Sequence, residues 1–206
     1  MQNHSTGSQS GGRVRQTNKR QAIMQAAELL FTSRRFHEMT MEDVATAAKV
    51  AKGTLYGYFR DKEDLFFQTC TSGIDELCEF IAAIPADRPF ERQLLAACRE
   101  ISKFYDRRHQ LLWLVQAEEG RMDSGGGSRN GWKEKRERLV ATVTQVLARG
   151  VENGALRDDV SLEVLANILM SMLRARSRRL SDAPPKMRRH EVILDLFCRG
   201  AGSPPK

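Results

Sequence analysis

No stretch of the 206-residue chain approaches the roughly 18 consecutive apolar residues that a membrane-spanning helix needs. The opening MQNHSTGSQSGG has none of the apolar character of a secretory signal. Four cysteines (Cys70, Cys78, Cys98 and Cys198) are scattered with no C-x-x-C pair. That pattern speaks against a disulfide framework or a zinc site, and for a reducing, cytoplasmic setting. There is no G-x-S-x-G, no phosphate-binding loop, and no cluster of His, Cys and carboxylates at catalytic or ligand spacing. The expectation is therefore a non-enzyme, away from membranes, with no catalytic residue, metal or cofactor. No internal repeat and no convincing strand is present.

Cations outnumber anions: 33 Lys+Arg against 26 Asp+Glu give +7. A surplus of this sign suits an anionic partner. It does not concentrate in either half, because residues 1–69 hold ten bases and seven acids, a modest +3. Two local runs stand out. Arg13, Arg15, Lys19 and Arg20 form a basic arm, read either as a groove-tracking arm or as a solvated tail. Arg174, Arg176, Arg178, Arg179, Lys186, Arg188 and Arg189 face one acid, Asp182, and fit either a solvated helix end or a second anion site.

Periodicity makes the chain all-α, with about nine helices. Ile23, Ala27, Leu30 and Phe31 share one helical face. Thr40-Met-Glu-Asp43 has the form of a capping box ahead of Val44, Ala45 and Ala48. A third, short helix covers about 51–58. Asp61 caps a long fourth helix whose apolar side runs from Leu65 to Ile81. The fifth carries Leu94 to Tyr105, and the sixth His109 to Val115. Glycines between Gly120 and Gly131 predict a loop. The seventh spans about Trp132 to Asn153, with Gly154 as its left-handed cap. Ser161 caps the eighth, and the ninth follows Pro184-Pro185. Residues 1–12 and 201–206 are expected to be disordered tails, with one domain over 13–62 and a second over 63–200.

Residues 40–59, TMEDVATAAKVAKGTLYGYF, decide the reading. Two short helices joined by a turn share a small core of Val44, Val50 and Leu55, the arrangement of a helix-turn-helix. With its flanks, FHEMTMEDVATAAKVAKGTLYGYFRDKEDLF, the segment resembles the tetracycline-repressor (TetR) family of transcriptional regulators. That resemblance implies a ligand-responsive regulator, in most cases a repressor, that binds double-stranded palindromic operator DNA as a homodimer and is released by a small-molecule effector. It places Lys52, Gly53, Thr54, Tyr56 and Tyr58 against DNA, and Thr40 and Lys62 on phosphates. Three positions depart from the family pattern. Lys49 holds a turn position where glycine is usual, Ala51 replaces a common serine cap, and Gly57 stands where a bulkier residue is common.

Phe67, Cys70, Phe104, Tyr105 and Trp113, with the polar His109 and Gln116, are expected to line an apolar effector pocket. Leu162, Leu165, Leu169 and Met172, with Val192, Ile193, Leu196 and Phe197, are expected to pair with their dimer mates in a four-helix bundle. The alternatives are a helical enzyme, which no motif supports, and a non-specific DNA-binding protein.

Overall fold

The structure, a computed structural model, describes residues 9–118, 127–178, 180 and 182–201, and side chains for 18–108, 111, 131–177, 180 and 182–200. These residues hold nine α-helices, two short 3-10 turns and no strand. The helices are α1 Gln9–Ser33, α2 Met41–Ala47, α3 Lys52–Tyr58, α4 Lys62–Thr71, α5 Ile74–Ala82, α6 Phe90–Glu118, α7 Gly127–Glu152, α8 Leu162–Arg178 and α9 His190–Ala201. The turns are Phe36–Glu38 and Pro185–Arg188.

Several boundaries differ from the sequence expectation. The long fourth helix is two helices, because Gly73 adopts a left-handed φ of 88° and α5 restarts behind it. The fifth and sixth helices are one, α6. The intervening Asp106-Arg107-Arg108 contains neither Gly nor Pro, so nothing stops the hydrogen-bond ladder. Helix α7 starts at Gly127, so residues 127–131 are helical rather than loop, and 119–126 lie outside the described residues. Helix α1 starts at Gln9, so 9–12 belong to it, and 1–8 and 202–206 lie outside the described residues. An anchored helix extends at little cost per residue, which lets α1 absorb even Gly11 and Gly12. The Gly154 reversal matches expectation, with φ 75° and the Leu156 N–H donating to the Gly150 carbonyl at 2.9 Å.

The chain divides into two compact units, residues up to Thr71 together with the 127–129 start of α7, and the remainder. Helix α4 thus belongs to the first unit, beyond the boundary expected after residue 62. In that unit Ile23, Ala27 and Phe31 of α1 are buried, with Val44 of α2, Leu55 of α3 and Leu65 and Phe66 of α4. Aromatic rings are its centre. Phe66 meets Phe31 edge-on at 4.9 Å and Phe36 at 5.1 Å, while Phe31 and Phe36 stack at 5.8 Å.

The second unit buries Leu94 and Ile101 of α6, Val143 and Leu147 of α7, Leu169 and Leu173 of α8, and Ile193 and Phe197 of α9. The Pro85–Pro89 corner between α5 and α6 has no helix to satisfy its carbonyls. Buried Gln93 does so, donating to Ala86 O at 3.1 Å and Arg88 O at 2.7 Å. Arg149 of α7 donates to the Gln93 carbonyl oxygen at 2.8 Å and to Ile84 O at 3.3 Å, closing the network.

One glycine is required by packing. A Cβ at Gly150, inside α7, would run into the Phe90 ring and reach Leu156 Cδ1 at 2.9 Å. Gly150→Ala should therefore destabilise the protein by about 1–3 kcal/mol through overpacking, although alanine is the better helix former by about 1 kcal/mol. Urea unfolding measures this, and a stabilised variant would contradict it.

Candidate nucleic-acid interface

Helix α2 begins with the capping box read from the sequence. The Thr40 hydroxyl accepts the Asp43 N–H at 3.2 Å, and the Asp43 carboxylate accepts the Thr40 N–H at 2.9 Å. The same hydroxyl donates to Asp43 Oδ2 at 2.8 Å. Hydrogen bonds from the Thr40 backbone N–H and hydroxyl hold the Asp43 carboxyl below its ordinary range. Thr40 is therefore engaged in the cap, beside a carboxylate.

Helix α2 ends in a Schellman motif. Val50 N–H donates to Ala45 O at 2.9 Å and Lys49 N–H to Thr46 O at 3.1 Å, with Lys49 left-handed at φ 54°. Lys49 is the one non-glycine residue with positive φ among the described residues. The departure seen in the sequence is thus accepted as backbone strain. Lys49→Gly should stabilise the protein by about 0.5–1 kcal/mol, the left-handed strain relieved less the greater freedom of glycine in the unfolded chain. A thermal melt checks this, and a lower midpoint would contradict it.

Helix α3 follows a single extended residue, Ala51, which supplies no side-chain cap. Its Leu55 is fully buried, as is Phe59 just beyond its end, and together they root the helix in the aromatic core. The opposite face is exposed: Lys52, Gly53, Tyr56 and Gly57. Thr54 and Tyr58 are half-buried at its flanks. A side chain added at Gly53 or Gly57 would meet nothing within 4 Å, so these two positions, one helical turn apart, leave the backbone open to close approach. Lys52 pairs with Glu42 of α2 and stands 5.8 Å from the Tyr56 ring centroid. The hydrogen bond between them lowers the Glu42 carboxyl and raises the Lys52 ammonium.

Lys62 has partners within the chain. Its ammonium donates to Phe36 O and Met39 O, both at 3.0 Å, and lies 4.5 Å from the Phe36 ring centroid. It ties the turn before α2 to the start of α4, whose own first turn is capped by Asp61 accepting the Asp64 N–H at 2.7 Å. Lys62→Met should cost about 1–3 kcal/mol of stability, because two carbonyls lose a charged donor. A lysine that served only as a phosphate contact would leave the melt unchanged. The basic arm is likewise the first part of α1. Arg20 bonds Gln68 and covers the Phe59 ring at 5.7 Å, while Arg13 and Arg15 lie outside the described side chains.

The other expected residues separate. Phe67 and Cys70 are buried in the first unit, Phe104 and Tyr105 in the second. His109, Trp113 and Gln116 lie on α6 outside the described side chains. Of the expected dimer residues, Leu165, Leu169, Ile193 and Phe197 are buried in this chain's own core and present nothing to a partner. Leu162, Met172 and Val192 are half-buried and Leu196 is 57% exposed. Val164 and Ile168 of α8, missed from the sequence, are exposed instead. The apolar stripe of α8 is wide enough for two faces, and periodicity alone did not show which one the core takes.

Residues 23–69, which run from α1 to α4 and contain this whole arrangement, match the bacterial regulatory proteins of the tetR family. An HTH-type transcriptional repressor of Mycobacterium tuberculosis is 27% identical over 184 residues, covering 86% of this chain and 90% of that protein. The chain belongs to the TetR family of transcriptional regulators. Its fold is also that of the fatty acid degradation regulator FadR from Bacillus halodurans, with a TM-score of 0.73 at 20% identity over 88% of this chain and 95% of that one. FadR from Bacillus subtilis, solved in complex with stearoyl-CoA, gives 0.72 at 17% identity over 87% and 98%. Among the described residues of this TetR-family regulator, no three His, Cys or carboxylate groups could hold a metal ion, and no helix is long and apolar enough to cross a membrane.

Proposed function

We propose that this TetR-family regulator represses transcription by binding an inverted-repeat operator as a homodimer, and that a small effector bound by the second unit releases it. The observation that carries the reading is the exposed face of α3, with Lys52, Gly53, Tyr56 and Gly57 outward and Leu55 rooted in the core. The two glycines let the helix backbone approach a groove, Tyr56 offers a ring and a hydroxyl, and Thr54 offers a methyl and a hydroxyl at the flank. Glu42 partners Lys52 in the free protein. On DNA, the ammonium exchanges that carboxylate for a phosphate, and Glu42 penalises poorly aligned backbones. Thr40 and Lys62 act one step back, holding α2 and the preceding turn so that α3 is presented in one orientation.

Pairing of two copies through Val164, Ile168 and Leu196, which α8 and α9 leave exposed, would supply the two-fold symmetry that an inverted repeat matches. The related FadR of Bacillus subtilis holds stearoyl-CoA, which supports an effector with an apolar body.

The test is a gel shift against DNA upstream of the regulator's own gene. Wild type should bind it well above scrambled DNA at physiological salt. Tyr56→Ala should weaken that binding by about tenfold while leaving the thermal melt unchanged, since Tyr56 is exposed. Equal binding of both DNAs would leave a non-specific DNA-binding protein.

A further inference from the structure

Two arginines on α8 differ in one respect. Arg176, 7% exposed, follows the rule that buried charges are paired, donating to Asp106 Oδ2 at 2.5 Å. Arg174 has no such anion. Among the described residues no carboxylate lies within ion-pair distance of it; its guanidinium hydrogen-bonds the Tyr105 phenol, and its Nε, like that of Arg176, is buried without a partner. Its guanidinium lies 5.6 Å from the ring centroid of Tyr105, itself 3% exposed on α6. One turn further along α8, the buried Ser177 hydroxyl also lacks a partner. From α7, Arg136 reaches the Asn167 side-chain oxygen at 3.4 Å and acts on the Tyr105 phenol electrostatically. Burial raises that phenol above its ordinary range even though both guanidiniums pull it down, so it remains a neutral hydroxyl donor.

Two guanidiniums and a phenol thus come together from three helices, with the Ser177 hydroxyl one turn along α8, beside an apolar core that includes Phe104, Leu139, Val140 and Met170. Arg174 is half-buried, with a phenol rather than a carboxylate as its partner, so its charge is open to an anion that offers a stronger acceptor. We infer that Arg174, Arg136, Tyr105 and Ser177 form a recognition site for the oxyanion headgroup, carboxylate or phosphate monoester, of an amphiphilic effector whose apolar body packs against this core. This rests on the regulator reading and names the chemical class of its effector.

The probes are decanoate, decyl phosphate, decanol and inorganic phosphate, each titrated onto the full chain by calorimetry and thermal shift. Decanoate or decyl phosphate should bind and raise the melting temperature, and decanol should not. Arg174→Gln should weaken that binding by about tenfold or more, and Tyr105→Phe by less. If Arg174→Gln does not fold, Arg136→Gln, at an exposed position, carries the affinity test.

The inference is overturned if decanol shifts the melt as decanoate does, if Arg174→Gln binds as wild type, or if neither amphiphile binds. A response to inorganic phosphate as large as to decyl phosphate would assign the cluster to a free ion and overturn the amphiphile. A gel shift run beside these titrations separates the two readings. Operator binding without any anion response removes this inference alone, whereas failure of the unliganded protein to bind DNA removes the regulator reading whatever the anions do.

Discussion

Every helix leaves its first N–H groups and last carbonyls without partners inside the helix, and an all-helical chain meets that constraint at every bend. The ends of this chain are met by different chemistry at each corner. Thr40 and Asp43 close the start of α2 reciprocally, and Asp61 and Ser161 serve α4 and α8 with one acceptor each. Lys49 takes a left-handed backbone so that Val50 can reach Ala45. Lys62 supplies the donors for Phe36 and Met39, and Gln93 with Arg149 serves the carbonyls between α5 and α6. The exposed face of α3 depends on these closures. Helix α3 has seven residues and no side-chain cap, too short to hold itself, so its orientation comes from Leu55 and Phe59 below and from the closed turn of α2 ahead.

Charge is used in two opposite ways. Most cations near the core have an assigned anion or carbonyl. Asp75 of α5, for example, accepts from Lys135 and from Arg138 at 2.5 Å, and these donors hold its carboxyl below the ordinary range. Its contribution is present above the unfolded carboxylate range and fades as the pH falls through its lowered value. The pair is partly exposed, so solvent screens it heavily. Arg174 is the contrast, with a phenol in place of a carboxylate. Lys52 lies between the two, paired with Glu42 on an exposed face where a stronger anion displaces that partner easily.

Local signals gave the helix-turn-helix in detail. The capping box and the role of Leu55 as core follow from spacing and residue type, because each depends on neighbours within one or two turns, while the outward placing of Lys52, Gly53 and Tyr56 came from the family resemblance. Failures were of two kinds. Helix continuity was misjudged at Gly73, where one left-handed glycine divides a continuous apolar pattern, and at Asp106-Arg107-Arg108, where a charged stretch hides an unbroken ladder. Also hidden from the sequence were the intrachain partners of Lys62 and Arg20 and the core-facing side of α8. Each is settled by residues far away in sequence: Phe36 for Lys62, Gln68 for Arg20, and α6 for α8.

The amino-acid order by itself determined the all-helical class, the absence of a membrane-length apolar run, and the helix-turn-helix with its departures at Lys49, Ala51 and Gly57. These depend on periodicity and on backbone preferences, which act over a few residues. Tertiary structure decided which cations are free and which are spent, which leucines of α8 and α9 are core rather than surface, and why Gly150 must remain small beside Phe90. Long side chains reach several ångströms from their own helix, so their partners are fixed only when distant helices pack. The +7 that names only an anionic partner in the sequence becomes, in the folded chain, an exposed α3 face with Lys52 paired to Glu42 and a half-buried Arg174 with a phenol in place of a carboxylate.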